Sequence, residues 1–239
     1  MRLPPILSVA GVRHRWAPHG PDVVSIDQFA VQAGESVLLH GPSGCGKSTF
    51  LSAMAGVLSP QAGRIEVAGR AWQDMRGAQR DAWRADQVGY IFQQFNLLPY
   101  WSVIENVLLP CRLSRVRRDR ARQAGASEGV HGAAQQCLMR LGLHESMWHR
   151  SATELSVGQQ QRVAAARALI GSPALIIADE PTSALDDAWR DTFIDQTLQA
   201  CRDAGSALVV VSHDQDLVPL FDRSHAMSEL RGQSSEVPA

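Results

Sequence analysis

The segment that most constrains the fold of this chain is a glycine-rich loop between an apolar run and a segment with helical spacing. Leu38, Leu39 and His40 lead into GPSGCGKST, which matches the GxxxxGK[ST] pattern of phosphate-binding loops. In such loops, backbone N–H groups and the positive end of the following helix dipole hold phosphate oxygens. The pattern therefore predicts a strand, a loop and a helix in series.

The loop predicts a nucleotide site. Lys47 is expected to reach the β and γ phosphates, and the Ser48 hydroxyl to ligate Mg²⁺. The alternative is a glycine turn that precedes a helix and binds nothing. Cys45 is either an inert small residue or a thiol whose alkylation would block the nucleotide. The candidate nucleotide-binding residues in this loop are Gly41, Pro42, Ser43, Gly44, Cys45, Gly46, Lys47, Ser48 and Thr49.

Short runs rich in β-branched residues alternate along the chain with longer segments of helical spacing. This alternation is typical of a parallel sheet in an α/β fold. The predicted strands are Ser36 to His40, Val88 to Phe92, Ala174 to Ala178 and Ala207 to Val211. The predicted helices are Ser48 to Val57, Val157 to Ile170, Asp187 to Ala204 and Asp214 to Phe221.

Two regions depart from this alternation. Ile6 to Val31 is typical of short strands broken by a turn, which predicts a small antiparallel β layer. From about Gln94 to Gly171, Arg, Gln, Ala and Leu dominate, which predicts an inserted helical lobe. We therefore expect a single domain, in which residues 1–93 and 172–230 form the α/β core, 94–171 the helical lobe and 231–239 a flexible tail.

Composition excludes several classes of protein. The chain is 45% hydrophobic with a net charge of -1, which excludes a disordered chain and an overall positive field for nucleic acid. No apolar run approaches the roughly 18 to 20 residues of a membrane-spanning helix. The four cysteines lack metal-ligand spacing, so we expect reduced, cytosolic thiols. Arg112 to Arg122 holds six arginines and is either a solvated helix or a face toward a partner or membrane.

Five further segments resemble the motifs of ABC-type ATPases, in family order and over essentially the whole chain. LSVGQQQR is similar to the signature LSGGQxQR, and ALIIADEP to the Walker B strand. SALD resembles the D-loop, VVVSHD the switch-histidine strand, and Gln93 the Q-loop glutamine. The resemblance implies an α/β P-loop NTPase core with a mainly parallel sheet, an N-terminal antiparallel β layer and an inserted α-helical lobe.

The resemblance also implies distinct roles at the carboxyl edge of the sheet, where α/β folds bind ligands. Asp179 would hold Mg²⁺ together with Ser48 and Gln93. Glu180, His213 and Gln93 are the catalytic candidates, with Glu180 polarising the water that attacks the γ phosphate of ATP and His213 holding Glu180 or the water. Without the resemblance, the acidic pair could cap a helix and the histidine could be structural.

The signature implies a second copy of the chain. In the family, Ser156, Gly158 and Gln159 would close on the γ phosphate held by the other subunit of a head-to-tail dimer, and Asp186 would lie at that seam. ATP would then join the subunits, and hydrolysis would release them. Val157 replaces the first glycine of the signature, and its β-branched side chain predicts a looser dimer.

Aromatic and apolar residues predict two further contacts. Trp16 is the candidate for stacking on adenine, although it precedes the phosphate loop by more residues than is usual in the family. An apolar cluster after Gln93 is either core of the helical lobe or a groove for a short helix of a membrane permease. Its members are Phe95, Leu97, Leu98, Tyr100, Trp101 and Ile104.

The segments FQQFNLLP and SVIENVLLP look like those of lipoprotein-releasing and macrolide-exporter ATPases, which favours export or the handling of envelope lipid, lipoprotein or peptide. DEPTSALD also resembles importer ATPases, so import stays open. The competing class, a soluble ABC ATPase that remodels nucleic acid or ribosomes, usually carries two cassettes or a coiled-coil insert. We expect a homodimer with ATP and Mg²⁺, no nucleic acid, and a position on the cytoplasmic face of the inner membrane through an integral permease.

Overall fold

The computed structural model describes residues 4–183 and 187–231. Asp186 and residues 232–239 of the expected tail lie outside the described residues. The strands are β1 Leu7–His14, β2 Val24–Val31, β3 Ser36–His40, β4 Ala62–Val67, β5 Arg70–Ala71, β6 Val88–Ile91, β7 Leu175–Asp179, β8 Ala207–Ser212 and β9 Arg223–Ala226. The α-helices are α1 Lys47–Met54, α2 Gly77–Gln87, α3 Val103–Leu113, α4 Arg115–Ala124, α5 Gly129–Arg140, α6 Val157–Leu169, α7 Asp187–Ala204 and α8 Met227–Leu230.

The strands form two sheets, which confirms the predicted fold class. One sheet has the order β6-β7-β8-β3-β9 and pairs all its strands in parallel. The other has the order β2-β1-β4-β5, is antiparallel and contains the N-terminal strands. All six residues of β8 are buried, as expected for a central strand covered on both faces. The edge strand β9 (sequence RSHA) was missed because polar residues at sheet edges give no hydrophobic signal.

Strand order brings three candidate segments to one edge of the parallel sheet. β3 and β7 both pair with β8. The phosphate loop follows β3. β7 ends at Asp179 and is followed by Glu180, and His213 follows β8. In the register, Asp179 lies opposite Val211, and His40 opposite Ser212. The catalytic candidates are therefore neighbours in space although they are distant in sequence.

All the α-helices between β6 and β7 pack into a lobe that shares a core with one face of the parallel sheet. α3 begins at a capping box, in which the Glu105 backbone N–H donates to the Ser102 hydroxyl and the Ser102 N–H donates to the Glu105 carboxylate. This pairing satisfies N–H groups that have no partner inside the helix. None of the helices among the described residues is long and apolar enough to cross a membrane.

Two sequence interpretations were wrong in detail. The predicted helix from Asp214 to Phe221 is a 3₁₀ helix, Gln215–Leu220, because Pro219 has no backbone N–H to donate within a regular α-helix. The prediction of a solvated helix over the arginine run holds for most of its arginines but not for Arg117 in α4, which is only 2% exposed. Its guanidinium donates to the carbonyl oxygens of Ala168 and Ile170, each at 2.6 Å. Carbonyls at a helix end lack intrahelical partners and favour a cation.

Candidate nucleotide site

The phosphate loop presents an open helix N-terminus. Gly46 precedes α1 with φ +95°, and no side chain caps the helix. A Cβ atom at Gly46 would lie 2.4 Å from the Val23 carbonyl oxygen, so only glycine fits. The Lys47 ammonium is buried and donates to the carbonyl oxygens of Gly41 at 2.6 Å and Pro42 at 3.1 Å. The loop therefore holds a cation beside unpartnered N–H donors, which suits a phosphate group.

A cavity of about 590 Å³ extends from this helix N-terminus, within the size range of small-molecule sites. Trp16 stands at its edge with 68% exposure, and the His14 ring meets it edge-on at 4.7 Å. An exposed indole at this position can stack on a base. Sequence reasoning missed Val23. The cavity is lined by Trp16, Val23, Ser43, Gly44, Gly46, Lys47, Ser48, Thr49, Gln93, Asp179, Glu180 and His213.

Glu180 is held in a strained conformation within this cavity. Its φ is +46°, in the left-handed region that non-glycine residues rarely adopt. Its carboxylate is paired with His213 Nδ1 at 2.9 Å and also accepts from the His213 backbone N–H at 3.3 Å. The Glu180 side chain is 14% exposed. Its position is therefore determined by the strand end and by His213.

Oxygen atoms suited to a divalent cation lie beside the phosphate loop. The Ser48 hydroxyl donates to Asp179 Oδ1 at 3.4 Å, and Gln93 lines the same cavity. Burial raises the pKa of Asp179, the Ser48 bond lowers it, and the charge of Glu180 raises it further. The described residues contain no cluster of three or more His, Cys, Asp or Glu suited to a metal. A hydroxyl, one carboxylate and an amide fit Mg²⁺, which usually takes its other ligands from phosphates and water.

In a single chain, the signature segment does not line the nucleotide cavity. Ser156 caps α6, since the Gln159 backbone N–H donates to its hydroxyl at 3.3 Å and the Ser156 N–H donates to the Gln159 amide oxygen at 2.9 Å. Neither these residues nor Gly158 line the cavity. Val157 is 47% exposed. The other end of the signature contacts the site indirectly, because the buried Gln161 amide donates to the Pro181 carbonyl.

The structure revises the apolar cluster predicted after Gln93. Phe95 and Ile104 are buried, whereas Tyr100 is 93% exposed. A groove of about 640 Å³ does lie nearby, between α2, α3, α6 and the end of β6, but none of the six cluster residues lines it. Its large apolar lining residues are Val88, Tyr90, Phe92, Leu109, Pro110 and Leu113.

Sequence reasoning also missed two buried arginines, Arg117 and Arg167. Arg167 is 7% exposed and follows three alanines in the run AAARALIG. A charge within such an apolar run is a signal that could have identified it, because a buried charge requires polar partners. Arg117 gave no comparable signal, because it stands among other arginines.

Comparison with known proteins gives the same family as the motifs. Residues 24–183 match the sequence model of the ABC transporter family. An uncharacterised ABC transporter ATP-binding protein of Mycobacterium tuberculosis is 39% identical over 193 residues, 81% of this chain. The chain spans only 55% of the length of that relative. The lipoprotein-releasing system ATP-binding protein LolD of Novosphingobium aromaticivorans is 37% identical over 92% of this chain and 94% of its own length.

Solved structures agree with the sequence relatives. The dimeric, post-hydrolysis ATP-binding cassette MJ0796, bound to ADP and Pi, has a TM-score of 0.81 and 30% identity, and the match covers 95% of this chain and 97% of that chain. The family match includes the phosphate loop, the signature and the Asp179–Glu180 pair. The chain therefore belongs to the ABC transporter family and carries its ATP-hydrolysing domain.

Proposed function

We propose that this chain binds Mg-ATP, pairs head to tail with a second copy and hydrolyses ATP to drive a separate membrane permease. The observation that carries the proposal is the pairing of Glu180 with His213 at 2.9 Å beside an uncapped helix N-terminus. In that arrangement, a bound γ phosphate would lie within reach of both side chains. The chain would then work on the cytoplasmic face of the membrane, held there by its permease.

Each part of the cavity has a role in binding ATP. Trp16 stacks on adenine, and backbone N–H groups of the loop bind the phosphates. The Lys47 ammonium moves from the Gly41 and Pro42 carbonyls to the β and γ phosphates. Ser48, Gln93 and Asp179 would hold Mg²⁺, which when bound would supply charge stabilisation to the phosphates. 

Glu180 and His213 act on the attacking water. The Glu180 carboxylate accepts a proton from the water as it approaches the γ phosphate. Because His213 Nδ1 faces Glu180, its Nε2 is left for the phosphate. His213 therefore orients the base and presents its second ring nitrogen to the phosphate.

The second copy completes the site. The Ser156 hydroxyl and the first backbone N–H groups of α6 would close on the γ phosphate held by the other subunit, with Gln159 maintaining the capping box. This proposal is supported by the position of Ser156 outside the cavity of its own chain. It is also supported by the dimeric state of MJ0796. Asp186 is proposed at the same seam.

We infer that the groove between α2, α3 and α6 receives a short helical segment of the permease. Leu113 is 72% exposed and Phe92 39% exposed, and exposed large apolar side chains in a concave surface indicate a docking site. Asp81 and Arg84 form an ion pair at 2.6 Å and also line the groove. An amphipathic segment would place apolar side chains on Leu113 and polar groups on the ion pair.

One relative supports a proposal for the substrate class. LolD belongs to a lipoprotein-releasing system, and the residues after Gln93 resemble that branch. We propose export or release of an envelope lipid, lipoprotein or peptide, with specificity residing in the permease. A permease that captures its substrate from outside the cell would instead indicate import.

Co-purification from detergent-solubilised membranes tests the whole proposal. We expect an integral membrane protein with few spanning helices to accompany the chain and to alter its ATPase rate. Leu113→Glu should abolish this association, while Met139→Glu, which alters another exposed apolar residue outside the groove, should retain it. Purification with bound RNA or DNA and no membrane protein would contradict the proposal.

A further inference from the structure

A buried arginine at the end of the signature helix contacts the loop that carries Gln93. Arg167 lies in the last turn of α6 and is 7% exposed. Its guanidinium donates to the Asn96 carbonyl oxygen at 2.7 Å and to the Phe95 carbonyl oxygen at 2.5 Å. In the described part of the chain, no carboxylate forms an ion pair with Arg167. The buried charge is therefore compensated by backbone carbonyls.

Both carbonyls belong to a turn with an unusual backbone. Phe95 has φ +58° and Asn96 has φ +48°, and such left-handed conformations persist only where the surroundings impose them. Within the turn, the Phe95 N–H donates to the Phe92 carbonyl at 3.0 Å and the Asn96 N–H to the Gln94 carbonyl at 2.6 Å. Arg167 adds two charged hydrogen bonds from outside the turn, and bonds to charged groups are the stronger class.

The turn separates the two functional surfaces. Gln93, just before it, lines the nucleotide cavity. Phe92, Asn96 and Arg167 line the groove on the other side. Because Gln93 is only three residues before Asn96, a displacement of the turn would also move Gln93.

We propose that Arg167 is a positioning residue that holds the Phe95–Asn96 turn in its left-handed conformation and thereby directs Gln93 into the nucleotide cavity. Because α6 begins next to Ser156, one helix connects the signature to this turn. The inference deepens the proposed function and rests on the roles proposed there for Gln93 and the groove. A segment docked in the groove would contact Arg167 and alter its hold on the turn.

Arg117 offers a matched control within the same core. It is buried like Arg167, and its guanidinium also binds only backbone carbonyls among the described residues, including those of Ala168 and Ile170. It therefore holds the end of α6, where it also donates to the Arg167 carbonyl oxygen at 3.2 Å, but it donates to no carbonyl of the Phe95–Asn96 turn. Burial lowers the pKa of both guanidinium groups, to about 10 for Arg117. Lysine keeps the charge but lacks the planar fork that reaches two acceptors.

Hydrogen–deuterium exchange of the nucleotide-free protein tests the contact without ATP or metal. In Arg167→Lys, peptides that cover residues 93–97 should exchange about tenfold faster than in the wild type. In Arg117→Lys, the melting temperature should fall while exchange of these peptides stays at the wild-type rate. Wild-type exchange in Arg167→Lys, or an equal increase in both variants, would overturn the proposal. Arg167→Met, which removes the charge, should increase the exchange further.

A double-mutant cycle tests whether the effect passes through Gln93. Arg167→Lys should lower kcat about tenfold in the wild-type background and leave it unchanged in the Gln93→Ala background, with little change in the KM for ATP. If Arg167→Lys lowered kcat by the same factor in both backgrounds, the result would contradict the proposal that Arg167 acts through Gln93. If Gln93→Ala alone had wild-type kcat, the role proposed for Gln93 would fail, whereas the exchange experiment would still decide whether Arg167 holds the turn.

Discussion

Two helix N-termini in this molecule are suited to anions, but they differ in what surrounds them. α1 begins without a side-chain cap, in a cavity that also contains Lys47, Asp179 and Glu180. α6 begins with the capping box of Ser156 and Gln159, outside that cavity. The first is a site that one chain assembles from several strand ends. The second is a surface that, in the proposed dimer, would become a site only against a second copy of the chain. Substitutions at the two helix N-termini should therefore have different effects on ATP binding and on dimer formation.

Lys47→Ala should abolish measurable ATP binding in equilibrium dialysis, a loss of about 100-fold or more in affinity because charged hydrogen bonds to phosphate disappear. Lys47 is the only lysine in the sequence, so an amine-reactive probe reports on this side chain and the N-terminus alone. Protection of Lys47 by ATP in the wild type is the accompanying control. Unchanged ATP affinity in the variant would contradict the proposal that the phosphate loop binds ATP.

Glu180→Gln should lower kcat by about 10²- to 10⁴-fold, since the base that polarises water is lost, and should retain ATP binding. Because the bound ATP is not hydrolysed, the variant should accumulate as an ATP-dependent dimer, which a sizing column would detect. Adding Lys47→Ala should return this variant to the monomer. A monomer at saturating Mg-ATP would contradict the proposal that the surface around Ser156 needs a second copy.

Val157→Gly, made in the Glu180→Gln background, should strengthen the ATP-dependent dimer several-fold. Glycine removes a half-exposed β-branched side chain at the start of α6, which lets the opposite phosphate approach the backbone. Val116→Gly, at another partly exposed valine near the start of a helix, is the control and should leave the dimer unchanged. Sedimentation velocity at several protein concentrations measures both. Weaker association of Val157→Gly would show that the valine contributes to the interface.

Asp179→Asn should raise the melting temperature of the nucleotide-free protein slightly while hydrolysis is lost. Burial raises the pKa of Asp179, so its ionised form costs stability at neutral pH, by no more than about 1 kcal/mol because solvent still screens a partly buried carboxylate at the edge of a cavity. The cost vanishes as the pH falls through that pKa, and the advantage of asparagine should vanish with it. Calorimetry at several pH values provides the test, and a lower melting temperature at neutral pH would contradict it.

Local patterns were sufficient for much of the fold. The run SVLLH followed by GPSGCGKST predicted β3 and α1, and the spacing from Asp187 to Ala204 predicted α7 with its observed bounds. These elements are determined by short-range effects, which are the burial of β-branched runs and the conformational freedom of glycine. The segment RSHA carries no such pattern and becomes β9 because Arg223 to Ala226 pair with the adjacent β3.

By itself, the sequence determined the fold class, the glycine-rich loop before α1 and the family, because glycines, apolar runs and signature residues act through local geometry. Only the tertiary structure decided which distant groups meet. It placed Glu180 against His213, Arg167 against the turn at Phe95, and the groove away from the predicted apolar cluster. The physical reason is that the partners of a buried charge or a strained backbone come from other elements, and packing alone brings those elements together.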